Sequence, residues 1–90
     1  LRRLLLSACL ALALTGCAYN WQPTHAPIPQ TRWRYVYTDA ANRLCRAHGL
    51  PWDTIACAVW GDGNCTMYLP PRAARWMVEH EEKHCNGFTH

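Results

Sequence analysis

The sequence predicts a small α+β domain stapled by disulfides. It would consist of a strand, a helix, a β-hairpin and a C-terminal metal-binding helix, behind an N-terminal targeting segment and tether. Three observations carry that prediction. Cys45, Cys57, Cys65 and Cys85 fall within a stretch too short to stabilise itself by core burial alone. Two β-type runs, residues 55–60 and 65–69, flank the turn formers Gly61-Asp62-Gly63-Asn64. The segment from Pro70 to Asn86 holds no helix breaker after its prolines and stops at Gly87.

Residues 1–16 read as a targeting segment to be left out of the fold. Arg2 and Arg3 are its positive start, and Leu4 to Leu14 is an apolar run too short to span as a mature helix. The tetrapeptide Leu14-Thr15-Gly16-Cys17 resembles the lipobox of bacterial lipoproteins. That resemblance implies cleavage before Cys17, a diacylglycerol on its sulfur and acylation of its amine. Several chains on one residue hold a protein to a lipid bilayer far better than one does. Ala18 resembles the residue that sorts such proteins to the outer membrane. The expected location is therefore the bacterial envelope, on the outer membrane and facing the periplasm. The plainer alternative is a secretory signal with a coincidental Cys17.

Loss of Arg2 and Arg3 with the signal lowers the formal charge from +3 to +1. So nearly neutral a chain has no broad basic face for phosphates, which argues against nucleic acid as a partner. Residues 17–31 form the lipidated Cys17 and a Pro-rich tether. Pro23, Pro27 and Pro29 exclude a helix and favour extended chain, with His25 as a solvated linker residue rather than a ligand.

The folded domain is expected over residues 32–90. From Arg32 to Tyr37 the residues alternate as in a half-buried strand, with Trp33, Tyr35 and Tyr37 as the row covering the core. Thr38 or Asp39 then caps a helix whose buried stripe is Ala41, Leu44, Cys45 and His48, ended by Gly49 and Pro51. His48 fits a packed or dipole-stabilising role better than that of a fourth ligand. Asp62 and Asn64 lack the loop length and carboxylate count of a calcium site. Pro70-Pro71 should open the last helix, on which Ala73, Trp76, Met77, His80 and His84 share a face and Val78 and Glu82 point elsewhere.

In an oxidising compartment an even number of cysteines favours two disulfides, in any of three connectivities. The absence of a C-x-x-C pair disfavours a zinc-thiolate site. The preferred pairing is Cys57 with Cys65 and Cys45 with Cys85. A regular hairpin with Cys57 and Cys65 on opposite faces would defeat it.

The last eleven residues read H-E-x-x-H-x-x-G-x-x-H, from His80 to His90. Four residues apart on a helix, His80 and His84 project one above the other and reach a single ion. Glu81 sits beside them, placed to take a proton from a water on that ion. After Gly87 reverses the chain, His90 returns as a third nitrogen. Three ligands leave a tetrahedral ion one open position, the mark of a catalytic rather than a structural zinc site. A packed His pair on a helix face is the blander reading.

This segment resembles the signature of the metzincin zinc peptidases. The resemblance covers the last eleven residues and, more loosely, the preceding β-type run and helix. It implies one zinc ion on His80, His84 and His90, Glu81 as general base and proton shuttle, and Gly87 as the turn. It also implies a peptide or protein substrate in the envelope, aligned by the hairpin of residues 55–69. Met67 and Met77 lie upstream of the third His and do not map onto the methionine-containing turn that the family places after it. The function expected is a zinc-dependent peptidase or amidase. The alternative is a non-catalytic lipoprotein in which zinc staples a small fold.

Overall fold

The computed structural model describes residues 19–90. Cys17 and the targeting segment lie outside the described residues. Two short helices, two sheets and two disulfides make up an α+β body. Its main sheet holds β2 (Trp33–Tyr37), β3 (Cys57–Gly61) and β4 (Asn64–Leu69) in the order β2-β4-β3. A second sheet pairs β1 (Gln22–Pro23) with β5 (Phe88–Thr89). The helices are α1 (Ala41–Ala47) and α2 (Arg75–Cys85). Among the described residues, no helix is long and apolar enough to cross a membrane.

The expected hairpin forms, closed by Asp62 and Gly63 at φ 53° and 77°. Two left-handed central residues match the twist of the flanking strands, which is why Asp-Gly suits this position. β4 lies at the centre and buries Cys65, Met67 and Leu69 on one face. β2 runs parallel to β4, Trp33 opposite Cys65 and Tyr37 opposite Leu69. Local sequence does not announce that pairing. It needs α1 to carry the chain across the sheet to the far edge, from which the hairpin returns to the middle.

The register corrects the disulfide pairing. Cys57 lies opposite Tyr68, and Cys65 lies opposite Trp60. The two cysteines of the hairpin therefore face opposite sides of the sheet and cannot meet. Cys45 of α1 joins Cys57 on one side, and Cys65 joins Cys85 of α2 on the other. Each helix is thus stapled to its own face of the sheet. With Ile28, Cys65, Met67, Leu69 and Cys85 as its main buried cluster, the body is small enough to need both.

Of the aromatic row of β2 expected to cover the core, only Trp33 packs against it. Tyr35 and Tyr37 are 40% and 52% exposed because β2 is an edge strand reaching past the helix. In α1, Ala41 and Cys45 are buried while His48 is exposed and stacks near Tyr68. The Thr38 hydroxyl accepts a hydrogen bond from the Ala40 amide just before that helix.

Pro70-Pro71 does not begin the last helix. The Ala73 amide donates to the Pro70 carbonyl, closing a turn with Pro71 at its second position, a place its fixed φ favours. α2 starts at Arg75. Its buried residues are Glu81 and Cys85, with Met77 of the expected face and Val78 half-buried against the core, while Trp76 is 63% exposed. The cause is the Cys65–Cys85 bond, which sets the helix's rotation by holding Cys85 against β4.

The proline-rich stretch is extended, as three prolines dictate, yet from Gln22 to Ile28 it is part of the packed body. The Thr24 and His25 amides donate to the Gly87 carbonyl, and the Ile28 amide donates to that of Cys85. Ile28 enters the core, and the Trp33 indole donates to its carbonyl at 2.8 Å. Gly87 has φ 102°, and a Cβ there would collide with the His25 carbonyl. Glycine is required at this position twice over, for the left-handed turn and for the close approach of the strap.

Candidate metal centre

His80 and His84 stand one turn apart on α2. Gly87 then reverses the chain into β5, whose pairing with β1 fixes the direction in which His90 leaves. The three rings form a nearly equilateral cluster, with centroids 5.2, 5.0 and 5.0 Å apart. One nitrogen from each ring lies within 4.8 Å of the others. Nε2 of His80 and Nε2 of His90 are 3.1 Å apart. A tetrahedral ion with nitrogen bonds of about 2.05 Å needs ligand separations of about 3.3 Å. The His80–His90 pair is close to that value, and the third nitrogen needs only a small side-chain adjustment to reach the same ion. Each of the three residues expected to bind metal is in the cluster, and Glu81 adjoins it.

The other His84 nitrogen strengthens the fit. Its Nδ1 lies 2.9 Å from the Phe88 carbonyl. A proton donated there leaves Nε2 as a lone pair, the arrangement that orients a ligating imidazole. Burial, then the His84 and His90 imidazoles beside it, push His80 down to about 4. Burial is also the chief reason that His84 lies below the usual imidazole value, with its bond to Phe88 working against the shift. Near neutral pH both rings are therefore uncharged and ready to ligate.

Glu81 is only 5% exposed. Burial pushes its carboxyl up to about 7, because the charged form loses hydration. Its Oε1 stands 4.0 Å from Nε2 of His84, too far for a direct hydrogen bond. With one group pushed up and the other down, the contact is not an ion pair. A dication held by the triad would instead draw the carboxyl back toward its ionised form. Glu81 and the three histidines share the wall of a cavity of about 410 Å³. The remaining wall is mainly apolar, including Leu50, Pro51, Ala56, Ala58 and Trp60. β3, an edge strand, runs along it.

Sequence reasoning missed the aromatic residues around the triad. The Trp21 ring lies 4.9, 5.1 and 4.9 Å from those of His80, His84 and His90. Trp21 takes no part in the cavity wall, so it backs the cluster while the cavity opens elsewhere. Tyr19 packs 4.5 Å from His80 and 4.8 Å from His90. The Lys83 ammonium lies 5.4 Å from the centre of the Trp21 ring. A signal was available in the sequence, since a solvated tether has no use for Tyr19 and Trp21, two large aromatics spaced to share a face.

Other sequence candidates stay outside the cluster. His25 stacks on Trp60 with ring centres 4.3 Å apart, so it is packed rather than solvated, and its Nε2 has no hydrogen-bond partner among the described residues. Asn64 is engaged by Arg32 and by the Asp62 carbonyl in the hairpin turn. All four domain cysteines are oxidised, which removes thiolates as ligands. Cys17 lies outside the described residues. Compared with protein-family models, with curated proteins and with solved structures, the chain gives no match.

Proposed function

We propose that this chain is a small zinc-dependent hydrolase of amide bonds, held in the bacterial envelope by lipid on Cys17. The observation that carries the reading is the convergence of His80, His84 and His90 on a cavity whose wall also holds the buried carboxyl of Glu81. The H-E-x-x-H-x-x-G-x-x-H segment and its resemblance to metzincin peptidases support it further. Three imidazoles suit zinc, and copper or nickel are the competitors for the same nitrogens.

Zinc, when bound, supplies Lewis acidity, lowering the pKa of a water toward about 7 and polarising a carbonyl. Glu81 receives the proton of the attacking water and returns it to the departing amine nitrogen. The unpaired edge of β3 is suited to align an extended peptide backbone beside Glu81. The wall formed by Leu50, Ala56, Ala58 and Trp60 then favours an apolar side chain next to the cleaved bond. The substrate is accordingly an envelope protein, peptide or peptidoglycan cross-link. Metal analysis of the purified protein and a peptide-library assay of wild type and Glu81→Gln test this. One zinc per chain with no Glu81-dependent hydrolysis sinks it.

A second reading is that zinc serves only as a staple. It is favoured by the position of the triad beside the β1–β5 pair, with Trp21 packed on it and His90 leaving β5. An ion there would clamp the segment after β5, and with it the paired strap, to α2. Chelation would then lower Tm strongly, while Glu81→Gln would leave the zinc-loaded protein and its biological effect unchanged.

A further inference from the structure

The large apolar residues that remain exposed are unevenly distributed. Trp52 is 79% exposed, Trp76 63%, Ile55 57% and Tyr19 41%, with Leu50 and Trp60 at 38% each. Five of these six border either the 410 Å³ cavity or an adjoining one of about 260 Å³. Trp52 sits between Pro51 and Asp53, which line one cavity each. The two cavities share Thr54, Ala56, His80 and Glu81, so five of the six residues border one continuous rim around the metal centre, and Trp52 adjoins it through Pro51 and Asp53. Among the described residues, the remaining exposed large apolar side chains are Tyr35 and Tyr37, on the far edge of the sheet.

The chain also enters at this rim. Tyr19 packs against His80 and His90, and Cys17 lies two residues before it. Two residues of chain reach at most about 7 Å. An acyl chain on Cys17 would thus bring the bilayer surface to the rim, whichever way the connecting residues run. Tryptophan and tyrosine favour that interface, where an apolar ring and a polar N–H or O–H are satisfied together.

From this juxtaposition we infer that the rim of Tyr19, Trp52, Ile55 and Trp76 is a membrane-docking face, which turns the mouth of the metal cavity toward the lipid surface. The inference rests on lipidation of Cys17 and not on catalysis. The occupant is the apolar and headgroup boundary rather than its charge, because no Lys or Arg lines either cavity and Asp53 and Glu81 are the carboxylates there. A substrate for this site is then one presented at the bilayer surface.

The test is to reconstitute the full-length lipidated protein in phosphatidylcholine vesicles, with and without lipids brominated near the headgroup end of their acyl chains, and to read tryptophan fluorescence. Trp21 and Trp33 are half-buried while Trp52 and Trp76 are the most exposed, so the part of the quenching lost in a Trp52/Trp76 variant reports on the rim. Wild-type emission should be quenched, with little dependence on salt. Trp52→Ser/Trp76→Ser should lose more than roughly half of the quenchable emission while its circular dichroism is unchanged. Should that variant misfold, the wild-type signal decides. Unquenched protein on floating vesicles overturns the docking face and leaves the anchor standing. Protein that does not float overturns the anchor and this inference together. Chains that pair in detergent through Trp52 and Trp76, seen by sedimentation, identify a self-association face and also overturn it.

Discussion

Glu81 and Glu82 follow one another on α2, and the helix sends them about 100° apart. Glu81 turns to the cavity, where burial raises its carboxyl to about 7 beside three imidazoles. Glu82 turns to β2, where it accepts a hydrogen bond from the Tyr35 hydroxyl. Burial, followed by the bond to Glu82, pushes the Tyr35 phenol up to about 12. The same side chain one residue along is thus a buried, raised-pKa carboxyl facing the His cluster in one setting and a fastener between helix and sheet in the other. Environment, rather than residue type, assigns the role.

The strongest test of that contrast is catalytic. Glu81→Gln should lower kcat/KM on a cleaved peptide by about 10²–10⁴-fold with zinc content unchanged. Glu82→Gln should leave it within about twofold, and equal losses from both would erase the distinction. Next come the ligands and their backing. By zinc titration, His90→Ala should weaken affinity by more than about 100-fold. Trp21→Ala should cost about 10-fold and Trp21→Phe much less, since an aromatic ring still supports the imidazoles. Unchanged affinity in Trp21→Ala would leave the indole without influence on the centre.

Smaller effects separate the two carboxylates by pH. In the metal-free protein the folded-state pKa of Glu81 lies above its ordinary value of 4.5. Its contribution is therefore complete below about 4.5 and lost as pH rises through about 7. His80, shifted the other way, changes stability in an overlapping range, so denaturant midpoints of wild type and Glu81→Gln must be compared at each pH. The Tyr35 contribution has the same sign at higher pH, declining between about 10 and about 12. That decline should vanish in Tyr35→Phe, which should cost about 1 kcal/mol or less at pH 7 by urea unfolding because the bond is half exposed. A larger loss would make the fastener more important than its exposure suggests.

Much of the site was legible because its signals are local. A spacing of four on a helix stacks His80 over His84 whatever the rest of the fold, and Gly87 is needed wherever a helix must end in a left-handed turn. The hairpin was legible for the same reason, since Asp62-Gly63 carries its own geometry. Trp21 was not, because its role depends on a strap of chain about sixty residues upstream in sequence folding back along β5. The disulfide pairing failed at a similar point. Proximity in sequence suggested Cys57 with Cys65, and the alternation of faces along paired strands forbade it.

By itself, then, the sequence determined the candidate ligand triad, the place of Glu81 beside it, the turn between them and the hairpin, each of which follows from periodicity or from the φ a single residue must adopt. Tertiary structure alone decided the parallel pairing of β2 with β4, the rotation of α2, the backing of the triad by Trp21 and the separate fates of Glu81 and Glu82. These depend on which surfaces meet across long stretches of chain, and no local preference encodes such a meeting.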